Sequence, residues 1–387
     1  MPVKLKGITW NHSRGFVPVA ATSQRFAELN PGVEIVWEKR SLQQFADMPI
    51  QTLAESYDLL IIDHPWAGVA AEHNVLLPLE RYLSEEFLAD QAANSVGKSH
   101  ESYNFSGFQS ALAVDAAAPV ASYREDLLQA YGLEPPQTWE DLLAFAKTGR
   151  MAFPGIAIDS LMNFYMLCST QGEDPCVSDE YIVSSDMGLQ VLDQLRELAA
   201  YCTKEMFDWN PIKLYEAMSG GDDIAYCPFA YGYSNYARAG YSNHPLRFCD
   251  MVTIGRHGKL KSTLGGTGIA VSSRCAHPDI AVRYVEFTAS PQCQRTIYVE
   301  NGGQPGHRTA WMDEEANRRC GNYFVATLPA LDRSYLRPRY NGYLHFQDHA
   351  GDLVRRFMMQ GGSGKVVLDG MNKLYRESKR EVPHETA

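Results

Sequence analysis

The stretch that decides the fold is residues 111–142, ALAVDAAAPVASYREDLLQAYGLEPPQTWEDL. Its apolar start, 111–114, predicts a short strand that ends at Asp115, and an amphipathic helix is expected over 122–131. A turn rich in proline follows. Thr138, with Asp141 three residues later, then forms a plausible capping pair for a helix over 139–147. Strand, helix, turn and helix in this order indicate an α/β architecture.

The residues before this stretch alternate strands and helices. Strands are predicted over 4–10, 33–39 and 58–62, and helices over 16–29 and 41–56. Asn30-Pro31-Gly32 ends the first of these helices. The third strand is apolar almost throughout, as in a central parallel strand covered on both faces. This order predicts a parallel sheet with right-handed crossovers.

The residues after this stretch also form predicted strands and helices. Strands are predicted over 224–231, 246–250 and 264–272, helices over 278–290 and 291–300, and mostly helix over the last seventy residues. We find no repeat, low-complexity segment or long linker in the sequence. Two α/β lobes are therefore expected, with the chain crossing between them more than once.

Length, composition and charge limit the classes of protein to which the chain can belong. The 387 residues are 45% hydrophobic and 21% charged, which is globular and long for a single simple core. The net charge of −11 argues against a nucleic-acid partner, which needs a basic surface. No apolar stretch approaches the roughly 18 residues of a membrane-spanning helix. Residues 1–6 have no signal-peptide pattern, so we expect either a trimmed mature form or a cytoplasmic protein.

The eight cysteines do not decide the compartment. None forms Cys-x-x-Cys, so zinc and thioredoxin-type motifs are not indicated. Their even number permits disulfides, and their pairing cannot be derived from sequence. Mostly buried thiols or one bridge are expected, because small buried cysteines are common in cores.

Polar residues follow three predicted strands at their carboxyl ends, where open α/β sheets bind ligands. Trp10, His12 and Arg14 follow the first strand and would suit a hydroxylated or anionic ligand; the alternative is an ordinary turn with an exposed arginine. Asp63 and His64 follow the third strand, where Asp63 either binds sugar hydroxyls or caps the next helix. Asp115 ends a fourth strand, and its alternative role is a helix cap or an ion pair.

Phe229, Tyr231 and Tyr233 alternate near the end of a predicted strand and share one face. Flat aromatic rings stack on the C–H faces of sugars. Core packing is the expected role of Phe229, whereas Tyr231 and Tyr233 are candidates for ligand contact.

Two glycine-rich segments partly resemble nucleotide-binding loops. Gly265-Gly266-Thr267-Gly268 precedes a strand and lacks the dinucleotide spacing. Gly361-Gly362-Ser363-Gly364-Lys365 lacks the first glycine and the final Ser/Thr of a P-loop. No serine-hydrolase or zinc-protease motif is present in the sequence, nor any acid pair in a recognisable glycosidase setting. The sequence therefore predicts no catalytic residues, no metal and no cofactor.

The whole chain resembles the family-1 extracellular solute-binding proteins of bacterial ABC transporters, the group similar to maltose-binding protein. The matching segments are the first strand, 57–65, the 111–142 crossover, 264–272 and 301–305. The resemblance implies a type-II periplasmic-binding-protein fold, with a first lobe of 1–111 and 265–315 and a second of 112–264 and 316–387. Gly266 and Gln304, in the last two matching segments, complete the expected ligand-binding set.

The same resemblance implies a mechanism. A small polar solute, such as a sugar, would bind between the lobes and close them about hinge strands, and a membrane permease would recognise the closed form. A monomeric periplasmic protein without catalysis is then expected. The alternatives are a cytoplasmic sugar-modifying enzyme that uses Asp63, His64 and Asp115 as acid and base, or a ligand sensor.

Overall fold

The computed structural model describes residues 2–380. Met1 and residues 381–387, the outer ends of the two predicted lobes, lie outside the described residues. The chain forms two compact units. Unit 1 consists of Met1–Ala117, Tyr233–Asn235 and Leu264–Leu328, and unit 2 of Ala118–Gly232, Tyr236–Thr263 and Pro329–Ala387.

Ten strands are present in the described chain. They are β1 Val3–Trp10, β2 Val33–Arg40, β3 Leu59–Ile62, β4 Asn104–Phe105, β5 Phe108–Gln109, β6 Leu112–Ala117, β7 Pro119–Tyr123, β8 Tyr226–Tyr231, β9 Arg247–Cys249 and β10 Gly265–Val271.

The described chain also contains eighteen α-helices. They are α1 Ser13–Leu29, α2 Leu42–Asp47, α3 Ile50–Ser56, α4 Ala67–His73, α5 Glu85–Ala93, α6 Ser99–Ser102, α7 Glu125–Tyr131, α8 Trp139–Ala146, α9 Ala157–Thr170, α10 Ser185–Ala199, α11 Pro211–Gly220, α12 Pro278–Ala289, α13 Pro291–Cys293, α14 Arg308–Trp311, α15 Glu314–Arg319, α16 Tyr323–Asp332, α17 Tyr343–Gln360 and α18 Gly364–Lys379. Short 3₁₀ or π turns lie at His64–Trp66, Leu79–Arg81, Lys204–Asp208, Ser234–Ala237, Gly255–His257 and Gln294–Tyr298.

Unit 1 is built on a five-stranded sheet in the order β2-β1-β3-β10-β6. β1 pairs with β2 and β3 in parallel, which confirms the predicted parallel arrangement of the first three strands. β10 is antiparallel to both β3 and β6. The parallel strands β1, β2 and β3 end at one edge of the sheet, and this edge carries the predicted polar residues.

The core of unit 1 lies on the two faces of this sheet. Leu5, Leu59, Ile61, Val114 and Ile269 are each at most 1% exposed. Burying one such aliphatic side chain contributes about 1.5–3 kcal/mol, so the central strands are the most stable part of the unit. Glycine is required at residue 7, since a Cβ there would lie 2.5 Å from the Trp37 ring.

Unit 2 contains a three-stranded sheet in the order β8-β7-β9, with both pairs antiparallel. Its helices include the long pair α17 and α18, and α9 packs against α17 and α10. Thr138 caps α8 as predicted, in a reciprocal pair with Asp141.

Two helix predictions were wrong in detail. The helix expected from residue 122 begins at Glu125, because Pro119–Tyr123 is the central strand of the second sheet. The helix expected over 41–56 is two helices, interrupted at Met48 and Pro49, and Pro49 has no N–H to continue α2. The helix expected over 291–300 is present, with a π turn over Gln294–Tyr298 in its middle.

Candidate functional site

The turn from β1 to α1 places His12 at the start of the helix. His12 is the N-cap residue, and its Nδ1 accepts a hydrogen bond from the backbone N–H of Arg14 at 3.0 Å. Because Nδ1 is the acceptor, the neutral ring carries its proton on Nε2. Burial and, second, the charge of Arg14 lower the pKa of His12 to about 4. The half-buried imidazole is therefore neutral at neutral pH and can hydrogen-bond a hydroxyl group.

Arg14 and Asp115 form a buried ion pair. Arg14 Nε donates to Asp115 Oδ2 at 2.9 Å, and Arg14 Nη2 contacts Asp115 Oδ1. The two side chains are 4% and 0% exposed. Burial alone would lower the pKa of Arg14, but the carboxylate beside it raises that pKa above its usual value. Asp115 thus has the ion-pair role that the sequence left open, and both of its oxygens are engaged within unit 1.

Tyr233 covers this ion pair. Its ring centroid lies 4.5 Å from Arg14 Cζ, and its ring meets the His12 ring edge-on with centroids 4.8 Å apart. The structure therefore brings His12, Arg14, Asp115 and Tyr233 together in one place, which we call the Arg14 cluster.

Trp10 lies beside this cluster but inside the core. Its side chain is 3% exposed and packs on Phe45, with ring centroids 5.4 Å apart. A Cβ at Gly15 would lie 2.4 Å from the Trp10 ring, so glycine allows α1 to begin directly against the indole. In this conformation Trp10 presents almost no face to a ligand, and its role in binding stays a prediction.

Asp63 and His64 interact with each other after β3. Asp63 Oδ1 accepts from His64 N at 2.8 Å and lies 3.2 Å from His64 Nδ1. Asp63 thereby caps the short turn His64–Trp66, which is the alternative role considered for it. His64 is fully buried and meets Tyr103 edge-on. Both residues hold the turn after β3, and their contact with a ligand stays a prediction.

Gly266 and Gln304 support the backbone around Asp115. Gly266 has φ of +103°, and a Cβ there would lie 2.3 Å from the carbonyl oxygen of Asp115. Gln304 is fully buried; its Oε1 accepts from Ser234 N at 2.6 Å and its Nε2 donates to Ala116 O at 3.2 Å. These contacts fix the strand end that carries Asp115.

Tyr231 ends β8 in unit 2. Its ring is half-buried, and its hydroxyl lies 3.3 Å from Thr263 Oγ1. Phe229, two residues earlier, is fully buried and packs on Phe153 with centroids 5.0 Å apart, so it belongs to the core as expected.

Some buried polar residues were not among the predicted site residues. Arg40, at the end of β2, is 5% exposed; its Nη2 donates to Ile61 O, and its Nε and Nη1 have no hydrogen-bond partner among the described residues. Burial lowers the pKa of Arg40 to about 10, so it remains a cation. In unit 2, Asp159 and Asn163 are buried on α9. In the sequence, Asp159 and Asn163 appear only as polar residues within a mostly apolar segment, 157–170.

Further features concern metal binding, membrane spans, the P-loop-like segment and the cysteines. Among residues 2–380, no group of three or more His, Cys, Asp or Glu could hold a metal ion, and no helix is long and apolar enough to cross a membrane. The segment from Gly361 to Lys365 follows helix α17 instead of a strand, and Ser363 caps α18. None of the eight cysteines forms a disulfide within the described residues. Cys320 Sγ donates to Ala316 O at 3.1 Å.

The sequence matches one family model over most of its length. Residues 21–306 match the model described as bacterial extracellular solute-binding protein. This range includes β2, β3, the 111–142 crossover and β10.

Solved structures share the whole fold at low identity. The maltose-bound MalE3 of T. maritima is 16% identical, with a TM-score of 0.84 over 97% of this chain and 99% of that one. A solute-binding protein of an ABC transporter from Agrobacterium radiobacter K84, in complex with ribitol, is 18% identical, with a TM-score of 0.81 over 97% and 98%. One from Thermotoga lettingae TMO, bound with α-D-tagatose, is 17% identical, with a TM-score of 0.80 over 96% and 100%. At these identities the likeness shows a common fold, that of the type-II periplasmic binding proteins.

Proposed function

Because the chain belongs to the bacterial extracellular solute-binding proteins, we propose that it is the binding component of an ABC importer for a small, uncharged, hydroxylated solute. The observation that carries this proposal is the Arg14 cluster at the carboxyl edge of the unit 1 sheet. Three proteins of the same fold hold maltose, ribitol and tagatose, all of them polyhydroxylated.

The charge balance of the cluster favours an uncharged ligand. Arg14 is neutralised by Asp115, and His12 is neutral because its pKa is lowered to about 4. The cluster therefore has no net charge to pair with an ionic solute. A neutral imidazole forms hydrogen bonds but no ion pair, which suits a hydroxylated solute better than an ionic one.

The ligand is bound, in this proposal, without chemical turnover. Asp63 and His64 are the pair that a hydrolytic or isomerising enzyme would use as acid and base. His64 is fully buried, and Asp63 accepts from its backbone N–H at the start of a turn. This arrangement supports a structural role for both residues.

The remaining parts of the proposal concern the mode of capture, the partner, the oligomeric state and the cellular location. We propose capture by hinge closure, a membrane permease as partner, a monomeric state and a periplasmic location, as the resemblance to the family implies. We propose that units 1 and 2 are the two lobes expected from the sequence. Bound ligand should then reduce the radius of gyration measured by small-angle scattering.

A thermal-shift panel tests the ligand class. The panel contains neutral solutes (ribitol, D-tagatose, maltose), an acidic one (gluconate) and a cationic one (choline). A ligand that binds the folded state alone raises the unfolding midpoint. We expect at least one neutral solute to raise it while gluconate and choline leave it unchanged. A response confined to gluconate or to choline would contradict the proposal.

A further inference from the structure

Helix α9 contains two buried polar side chains with atoms that have no hydrogen-bond partner among the described residues. Asp159 is 5% exposed and Asn163 is 2% exposed. Asp159 Oδ2 and Asn163 Nδ2 are fully enclosed, and neither has a hydrogen-bond partner among residues 2–380. The two residues are four positions apart, so they lie on the same face of the helix, one turn apart.

The position of α9 in unit 2 matches that of a binding element. Met151 forms a parallel bridge with Tyr226, the first residue of β8, and Ala152 N donates to Tyr226 O at 3.3 Å. The chain that leads into α9 thus runs parallel to β8, and Phe153 packs on Phe229 of that strand. α9 therefore starts towards the carboxyl end of β8, the end at which the predicted ligand-contact residue Tyr231 lies.

The unpartnered atoms Asp159 Oδ2 and Asn163 Nδ2 make no hydrogen bond that would support the fold among the described residues. Leu161, Met162 and Phe164 of the same helix are fully buried, so much of the surface around α9 is apolar. A buried donor or acceptor without a partner destabilises the folded state. Burial also raises the pKa of Asp159 to about 7, which shows the cost of ionising this carboxyl group.

We propose that Asp159 and Asn163 bind two hydroxyl groups of the transported solute. This inference rests on the proposed function and adds its contacts in unit 2. The Asn163 Nδ2 group can only donate, so it needs an acceptor, and the Asp159 carboxyl group accepts when ionised. An ammonium group could satisfy Asp159 but offers Asn163 no acceptor. A hydroxyl group both donates and accepts, so a polyol or sugar satisfies both side chains.

Apolar substitutions of similar shape test this assignment. Asp159→Leu and Asn163→Leu remove the unpartnered polar atoms, so each variant should unfold at the same or a higher temperature than the wild-type protein without ligand. The probe is whichever of ribitol, D-tagatose and maltose raises the wild-type midpoint. Its affinity, measured by calorimetric titration, should fall roughly tenfold to a hundredfold in each variant. Asp193→Leu, at an exposed acid of α10, is the matched control and should bind as the wild-type protein does.

The outcomes separate this inference from the proposed function. Wild-type affinity in both α9 variants would overturn the assignment of Asp159 and Asn163 while leaving solute binding intact. A lowered midpoint in both variants would mean that the side chains serve the fold, and would also overturn it. If none of the three solutes shifts the wild-type midpoint, the proposed function fails and this inference fails with it.

Discussion

Arg14 and Asp115, 101 positions apart in the sequence, form a buried ion pair in which Arg14 Nε donates to Asp115 Oδ2 at 2.9 Å. Tyr233 lies over the guanidinium, and His12 contacts Tyr233 edge-on. The pair therefore holds together the end of β6, the start of α1 and the segment Tyr233–Asn235, all within unit 1.

Breaking the ion pair should destabilise the protein strongly. Asp115→Asn preserves the shape of the side chain but leaves the Arg14 charge buried without a counter-ion. Removal of one partner of a buried pair costs about 3–5 kcal/mol. Denaturant unfolding of Asp115→Asn beside the exposed control Asp193→Asn measures this loss. A free energy of unfolding within 1 kcal/mol of wild type, on the order of a surface ion pair, would refute the structural role of the pair.

Gly266→Ala should destabilise more than an ordinary glycine substitution. The new Cβ would meet the Asp115 carbonyl oxygen at 2.3 Å, in addition to the strain of a φ of +103°. Gly107→Ala is the matched control, since Gly107 has φ of +88° and nothing within 4 Å of its Cβ position. The control should lose about 1 kcal/mol and Gly266→Ala clearly more. Equal losses in chemical denaturation would show that the close approach to Asp115 is unimportant.

Stability should depend on pH through Asp159. Its pKa rises from 3.8 in the unfolded chain to about 7 in the folded protein. The folded state therefore binds more protons between these values, and this group's contribution to stability falls as the pH rises from about 4 to about 7. Asp159→Asn does not titrate, so its melting temperature relative to wild type should be higher at pH 8 than at pH 5. The same difference at both pH values would contradict the raised pKa.

His12 should remain neutral well below its usual pKa. Its pKa is lowered from 6.5 to about 4, so the folded state binds fewer protons than the unfolded chain between these values. The contribution of this group to stability is present above about pH 6.5 and is lost as the pH falls towards 4. An NMR titration of the His12 ring signals measures the pKa directly. A midpoint above pH 6 would contradict the buried, neutral imidazole.

The sequence predicted the order of the elements well. Alternating apolar residues at 33, 35 and 37 identified β2, because every second side chain of a strand faces the same side of the sheet. The apolar run at 59–62 identified β3, because a central strand is buried on both faces. The strand Pro119–Tyr123 was not predicted. Its residues adjoin a helical pattern, and its partners β8 and β9 lie about a hundred residues later, where no local signal points to them.

The sequence predicted individual residues of the candidate site but not the contacts between them. The strand-end rule placed His12, Arg14 and Asp115 at one edge, yet it could not show that Arg14 would use both oxygens of Asp115. Trp10 is only 3% exposed, and this depends on Gly15, which lets the first turn of α1 lie directly against the indole ring. Asp159 could not be found by this rule, because it is in a helix and its significance lies in the absence of a partner among the described residues.

The most direct test of the account is a calorimetric titration with ribitol, D-tagatose and maltose, followed by chemical analysis of the recovered solute. The wild-type protein should bind at least one of them at one site per chain and release it unchanged. His12→Asn keeps an N-cap acceptor for α1 but removes the imidazole, so it should bind that solute roughly tenfold or more weakly, as expected for the loss of one hydrogen bond. His257→Ala, at an exposed histidine of unit 2, should bind it as the wild-type protein does. Conversion of the solute, or an affinity for it in His12→Asn equal to that of the wild type, would contradict solute binding by the Arg14 cluster.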